Sequence, residues 1–262
     1  MSEQDTNIQE QEELQYGRSV YVWLIAIFLF SLFALISSLQ WKNHLLVRQV
    51  IVEGEKILTK EEIVQLAKLS PSQMMREMNL YDVQRNIQSH TFVKQVIANR
   101  DAPSTLRLTI QERKPIAIVL LHGRTEIYYV DDEGYILPHL MSQSIYDIPV
   151  ISGLDSVQTL KVGARTNNFD VLAAVEVLKT AERINTELFH LISEIRVRNG
   201  HDMVMYSFDS GLPIIFGQGD AVKKLIKFDS FWKQFVNDVH AENVEYIDLR
   251  FEDQVVVAEK KI

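Results

Sequence analysis

The sequence has no cysteine. That excludes disulfides, thiolate metal sites and a cysteine nucleophile, and it suits a compartment on either side of a membrane. Catalytic signatures are missing as well, since no GxSxG elbow, SxxK, HExxH or Walker A pattern occurs. The seven histidines are scattered without a close pair. Basic charge is short, with 27 Lys and Arg against 35 Asp and Glu and a net charge of −8. That balance argues against nucleic-acid binding, which needs a basic face. No cofactor and no small-molecule substrate is indicated.

What stands out is one long apolar run. Val20–Leu39 holds twenty residues without a charge, proline or glycine. At about 1.5 Å rise per residue it would span roughly 30 Å, the thickness of a bilayer's hydrocarbon core. Tyr21 and Trp23 at one end and Trp41 at the other stand where interfacial aromatics belong. An acidic, Gln-rich segment precedes the run and bulky residues follow it, unlike a cleaved signal peptide. The expectation is a transmembrane helix over 20–39 after a disordered tail over 1–19. Local charge leans towards a cytoplasmic C-terminal region, because Arg18 stands alone before the run while Lys42, Arg48 and Lys56 follow it.

Beyond the run, residues 45–52 (LLVRQVIV) read as a strand ended by Glu53-Gly54. Thr59-Lys60-Glu61-Glu62 has the form of a capping box opening a helix, and Asn79 caps a second. Phe92–Arg100 and Thr105–Glu112 form a hairpin across Asp101-Ala102-Pro103-Ser104, giving the order β-α-α-β-β. From Pro115 the pattern becomes mostly strand: Ile116–Leu121, Glu126–Val130, Tyr135–Leu137, Glu194–Arg198, Met203–Phe208, Leu212–Phe216, Val244–Arg250 and Gln254–Ala258. Residues 138–163 read as irregular. Helices are predicted over Asp170–Arg183, with Val171, Val175 and Leu178 inward, and over Ala221–Val239, with Val222, Leu225, Trp232, Phe235 and Val239 on one side. Asn199-Gly200 marks a hairpin. Phe216-Gly217-Gln218-Gly219-Asp220 sits where a phosphate loop would, but Lys223 replaces the third glycine of that pattern, so it reads as a turn capped by Asp220. Asp131-Asp132-Glu133-Gly134 is too compact for a calcium loop and reads as a hairpin tip.

Several ordered segments resemble the FtsQ/DivIB family of bacterial cell-division proteins. They are Val50-Ile51-Val52-Glu53-Gly54, Asn79-Leu80-Tyr81-Asp82-Val83, Phe92–Val96, Asn99–Leu106, Ile110-Gln111-Glu112-Arg113-Lys114-Pro115-Ile116-Ala117, Val130–Leu137 and Tyr246-Ile247-Asp248-Leu249-Arg250-Phe251. The turn at Asp101-Ala102 lacks the aromatic residue that the family usually shows there. The resemblance implies an α+β architecture with an N-terminal transmembrane helix, a POTRA domain over 45–114 and a mostly antiparallel β domain with two or more helices over 115–262. It implies a non-enzymatic divisome scaffold in the inner (cytoplasmic) membrane at the septum, N-terminus cytoplasmic and C-terminal domains outside, against the local charge. It further implies recruitment of FtsL- and FtsB/DivIC-type coiled-coil partners by strand addition at the last strands, with Tyr246, Leu249, Phe251, Val255 and Val257 as candidate binding residues, and other divisome contacts through the POTRA domain. The competing readings are a membrane-anchored envelope hydrolase and another POTRA-containing assembly factor.

Overall fold

The computed structural model describes residues 21–37, 46–70, 73–139, 147–154, 159–198, 201–238 and 243–260. Residues 21–37 form a helix, α1, with every side chain exposed. Among the described residues no helix is long and apolar enough to cross a membrane. The tail over 1–19 and the ends of the expected span (Val20, Ser38 and Leu39) lie outside the described residues, as do Asn199-Gly200 and Val239. Two compact units form: one holds the chain to Glu53 with Lys60–Arg85 and Ile97–Thr109, the other holds Gly54–Thr59, Asn86–Val96 and Ile110–Ile262.

Over residues 49–112 the predicted β-α-α-β-β order is present. It comprises β1 (Gln49–Glu53), α2 (Lys60–Leu66), α3 (Leu80–Gln88), β2 (Val93–Asp101) and β3 (Thr105–Glu112), with sheet order β1-β3-β2. β1 runs parallel to β3, Val52 opposite Leu108. α2 starts directly after Thr59. Asn79 caps α3, its Oδ1 accepting the Tyr81 amide at 3.0 Å. Alternation along β3 buries Leu106 and Leu108 completely, and Val52, Ile63, Met78 and Val83 complete this small core. Arg100 Nε donates to the Met75 carbonyl at 2.8 Å, and its guanidinium also reaches the Met78 carbonyl, so a loop without regular structure is tied to strand β2.

The second unit is built on nine strands. They are β4 (Pro115–Leu120), β5 (Ile127–Asp131), β6 (Ile136–Leu137), β7 (Val150–Ser152), β8 (Ile192–Arg198), β9 (Asp202–Ser207), β10 (Pro213–Gly217), β11 (Val244–Asp248) and β12 (Val256–Glu259). Their order is β12-β11-β10-β9-β8-β7-β4-β5-β6. The sheet is mixed rather than mostly antiparallel in its centre, because β7 pairs parallel with both β4 and β8, and β10 pairs parallel with β11. Parallel neighbours need crossover connections. Here α4 (Phe169–Ile184) and α5 (Thr186–Leu191) carry the chain from β7 to β8, and α6 (Ala221–Asp238) carries it from β10 to β11. The sequence patterning misses β7, three residues between Pro149 and Gly153 inside the stretch read as irregular. It misses α5 as well. Asn185 explains why: its backbone amide donates to Ala181 O and closes α4, while its side chain accepts the Glu187 amide and opens α5. Six residues are too few to show a stripe.

Helices α4 and α6 bury their apolar faces in one core with Val119, Ile151, Ile195, Met205, Ile214 and Ile247. In α6, Leu225 is buried and Trp232 packs on the core as predicted, joined by buried Phe228, whereas Val222 is 50% exposed.

The acidic turn does more than end a hairpin. Asp131 is fully buried. Its Oδ1 accepts the amides of Glu133 and Tyr135 at 2.9 and 2.8 Å, and its Oδ2 accepts from Arg113 at 2.6 Å. The same guanidinium reaches Glu133 at 2.9 Å and lies 3.6 Å from the centre of the Tyr135 ring. The Arg113 amide donates to Phe92 O at 2.7 Å. Burial works against the Arg113 charge, but its hydrogen bonds to Asp131 and Glu133 outweigh this and hold its pKa above the ordinary value. Nearby, the Glu112 carboxylate accepts the amides of Lys56, Ile57 and Leu58 at 3.1, 2.7 and 2.9 Å. Gly54 (φ +92°) opens that segment where a Cβ would stand 2.2 Å from Ile110 O, which leaves glycine as the residue that fits.

Removing one member of a buried ion pair strands the other, at a cost of about 3–5 kcal/mol. Arg113→Met and Asp131→Leu should each lower the thermal midpoint followed by circular dichroism. The double variant should recover a large part of that loss, and full additivity of the two losses would disprove the coupling.

Candidate partner-binding edge

The sheet ends at β12. This strand pairs antiparallel with β11, Ile247 opposite Val257 and Tyr246 opposite Ala258. Among the described residues no strand pairs with its other edge. A bare edge presents unpaired amides and carbonyls, and proteins keep such edges short or flank them with charge. β12 has four residues, the last of them exposed Glu259, and exposed Glu252, Asp253 and Lys260 flank it.

The five candidate residues occupy different places on this edge. Ile247 is fully buried, and its partner Val257 packs on the same core, as does Val255. Tyr246 and Ala258 therefore lie on the opposite face of the sheet. Phe251, in the connection between β11 and β12, is 46% exposed. Leu249 is completely buried, and its amide donates to Ile215 O at 2.9 Å, extending the β10–β11 ladder. Its side chain faces the core, so its part in the edge is to seat β11. What unites the five is the backbone they carry.

Residues that the sequence reading passed over hold this end of the sheet. Arg250 grips Asp248 with Nε at 3.0 and 3.1 Å and Nη2 at 2.6 Å. Burial would raise the Asp248 carboxyl pKa, but the hydrogen bonds from the Arg250 side chain and amide more than offset it, so the value lies below the ordinary one. On α6, Lys224 donates to the carbonyls of Phe216 and Gln218 at 2.9 and 2.6 Å and stands 4.8 Å from the Phe216 ring centre. Burial lowers its pKa. Lys227 donates to the carbonyls of Leu249, Phe251 and Gln254. Asp220 accepts the Lys223 amide at 3.4 Å, so the glycine-containing turn before α6 is a helix start, with Gly217 and Gly219 both at positive φ. The only signal for these lysines in the sequence was their spacing on one helix.

Among the described residues no group of three His, Asp or Glu converges as a metal site. A cleft of about 530 Å3 bordered by Lys94, Lys114, Asp132, Asp147, Glu182 and His190 carries both signs of charge. Its Lys94 is held by Asp132 and Glu133 at 3.1 and 3.2 Å, and Lys114 lies 3.7 Å from Glu182.

A profile described as "FtsQ/DivIB, C-terminal related" matches residues 114–258, which include the whole nine-stranded sheet except its last residue. The chain belongs to the FtsQ/DivIB family. A second profile, "POTRA domain, FtsQ-type", matches residues 45–113, so the fold is a POTRA domain followed by a mixed-sheet domain with helices. Among curated relatives, the cell division protein FtsQ of Geobacter sp. (strain M21) is 28% identical over 206 residues, covering 77% of this chain and 72% of its own. FtsQ of Geotalea daltonii is 27% identical over 211 residues, 80% of this chain and 74% of its own. FtsQ of Neisseria gonorrhoeae is 23% identical over 235 residues, 88% and 87% respectively.

A carboxyl with a depressed folded-state pKa stabilises fully above its unfolded value, about 3.9 for Asp, and loses that contribution as pH falls through its folded value. The midpoint of unfolding should therefore drop on acidification from pH 5 to 3. Asp248→Asn, measured by differential scanning fluorimetry, should show a shallower drop over that window and a lower midpoint at pH 7. An unchanged slope would remove Asp248 from the acid response.

Proposed function

We propose that this chain is a non-enzymatic scaffold of the bacterial division machinery, linking early and late division proteins at the septum. The observation that carries the reading is the free edge of β12 at the end of a sheet that the FtsQ/DivIB profile covers. Strand addition there would supply backbone hydrogen bonds, with side chains alternating to either face for specificity. The partners proposed are FtsB/DivIC- and FtsL-type coiled-coil proteins, and the contacting residues are Tyr246, Phe251, Val255 and Val257, with Leu249 seating the strand beside them. The POTRA domain, 45–114, would serve other division proteins, and 115–262 would be the partner-binding domain.

The anchor proposed is a membrane-spanning helix over 20–39, with 1–19 in the cytoplasm and the rest outside it. Support comes from the apolar run itself, of which 21–37 is helical with every residue exposed. An exposed stripe of Tyr, Trp, Phe, Leu and Ile on every side of a helix is costly in water and favourable in lipid.

Photocrosslinkers in place of Phe251, Val255 or Val257 in living cells should each give an adduct with a small coiled-coil partner. No adduct from any of the three would overturn the edge reading. Depletion should leave filamentous cells without septa. For direction across the membrane, the cysteine-free sequence permits a single reporter: Asp209→Cys, in an exposed turn, should react with an impermeant thiol reagent while the cytoplasmic membrane is intact. Protection of that thiol would reverse the orientation.

A further inference from the structure

We propose that Lys227 is the positioning residue of the edge, a clasp that fixes the register and presentation of β12; this rests on the edge reading above. An ammonium group has three N–H donors and no acceptor. Lys227 has three acceptors within reach, all of them carbonyls of the β11–β12 connection: Leu249 at 3.4 Å, Phe251 at 2.5 Å and Gln254 at 3.0 Å. Leu249 follows the end of β11, and Gln254 stands at the far end of the connection. One point charge therefore holds both ends and the middle.

The other ties on the connection are Arg250, whose amide and guanidinium bond Asp248 at its start, and the exposed pairing of Lys223 with Glu252. Arg250, Phe251, Glu252, Asp253 and Gln254 are all exposed, so no buried apolar side chain fixes their path. The helix that supplies the lysine, by contrast, is rigidly seated, because Leu225 and Phe228 on either side are fully buried. Register is what the clasp decides. Val255, the residue after Gln254, and Val257 pack on the core, and a slip of one residue would send both to the other face of the sheet. With the Gln254 carbonyl held, Val255 leads into β12 on the inward phase, and the unpaired backbone groups of the strand face outward along the edge.

Neighbouring Lys223 has a different role. It pairs with exposed Glu252 at 3.1 Å, an arrangement worth little in water. Its removal costs the same charge without opening the clasp, which makes Lys223→Met the control.

The test uses the full chain in detergent micelles, read by hydrogen exchange, and in cells with a photocrosslinker in place of Glu259. In Lys227→Met, amides of residues 250–257 should exchange at least tenfold faster while those within α6 keep their protection. Adduct with the coiled-coil partner should fall at least fivefold. Lys223→Met should stay within twofold of the unaltered chain in both measurements. Lys227→Gln, a milder change, should loosen the same segment, and faster exchange spread through α6 in both variants would overturn a local clasp. So would wild-type exchange in Lys227→Met, or equal losses in Lys223→Met. If the unaltered chain gives no adduct, the edge reading fails, while the exchange measurement still decides the clasp.

Discussion

The buried contact between Arg113 and Asp131 is the constraint on which the start of the large sheet depends. Arg113 stands two residues before β4, and Asp131 closes β5, its paired strand. A charge at 8% exposure is tolerable only when its hydrogen-bonding capacity is used. Here Asp131 is satisfied from two directions, by the guanidinium and by two amides of its own turn. The turn Asp131–Gly134 and the entry into β4 are thereby fixed by one interaction. Glu133 adds a second ligand, and its pKa lies below the ordinary carboxylate value because Arg113 hydrogen-bonds to it, against some opposition from burial.

The far end of the sheet is stabilised differently. Buried Asp248 of β11 is met there by half-exposed Arg250, and basic side chains of α6 donate to backbone carbonyls where strands β10 and β11 end. One end is thus a sealed ion pair, and the other is a set of lysines tying down loops around an open edge. Such a division fits the proposed role of the last strand as a docking edge.

Much of this was legible in the sequence, and the rest was hidden for identifiable reasons. β3, with strict alternation of Leu106, Leu108 and Ile110, falls at the predicted boundaries, and α4 and α6 follow from long apolar stripes. β7 shows too few residues to reveal a period and is a strand only because β4 and β8 flank it. Parallel pairing is invisible to local patterning, so the sheet's mixed centre was not foreseen. Asp131 read as a surface turn residue because its partner lies eighteen positions away. For the edge, the strand and its position were readable, but which side chains face outward depends on register, and the lysine contacts are made to backbone, which leaves no complementary residue in the sequence to notice.

The three-residue strand β7 has a consequence for how the large sheet comes together. On one side of it, β4, β5 and β6 are consecutive in the chain; on the other, β8, β9 and β10 are consecutive too. Each trio closes short loops, at small entropic cost. Within the sheet β7 joins them, pairing Val150 with Ile118, thirty-two residues earlier, and with Glu194, forty-four residues later. Two locally built meanders therefore become one continuous sheet through a strand of three residues. The narrowest element of the sheet is the keystone of its assembly, and it is made of the segment whose sequence promised no structure at all.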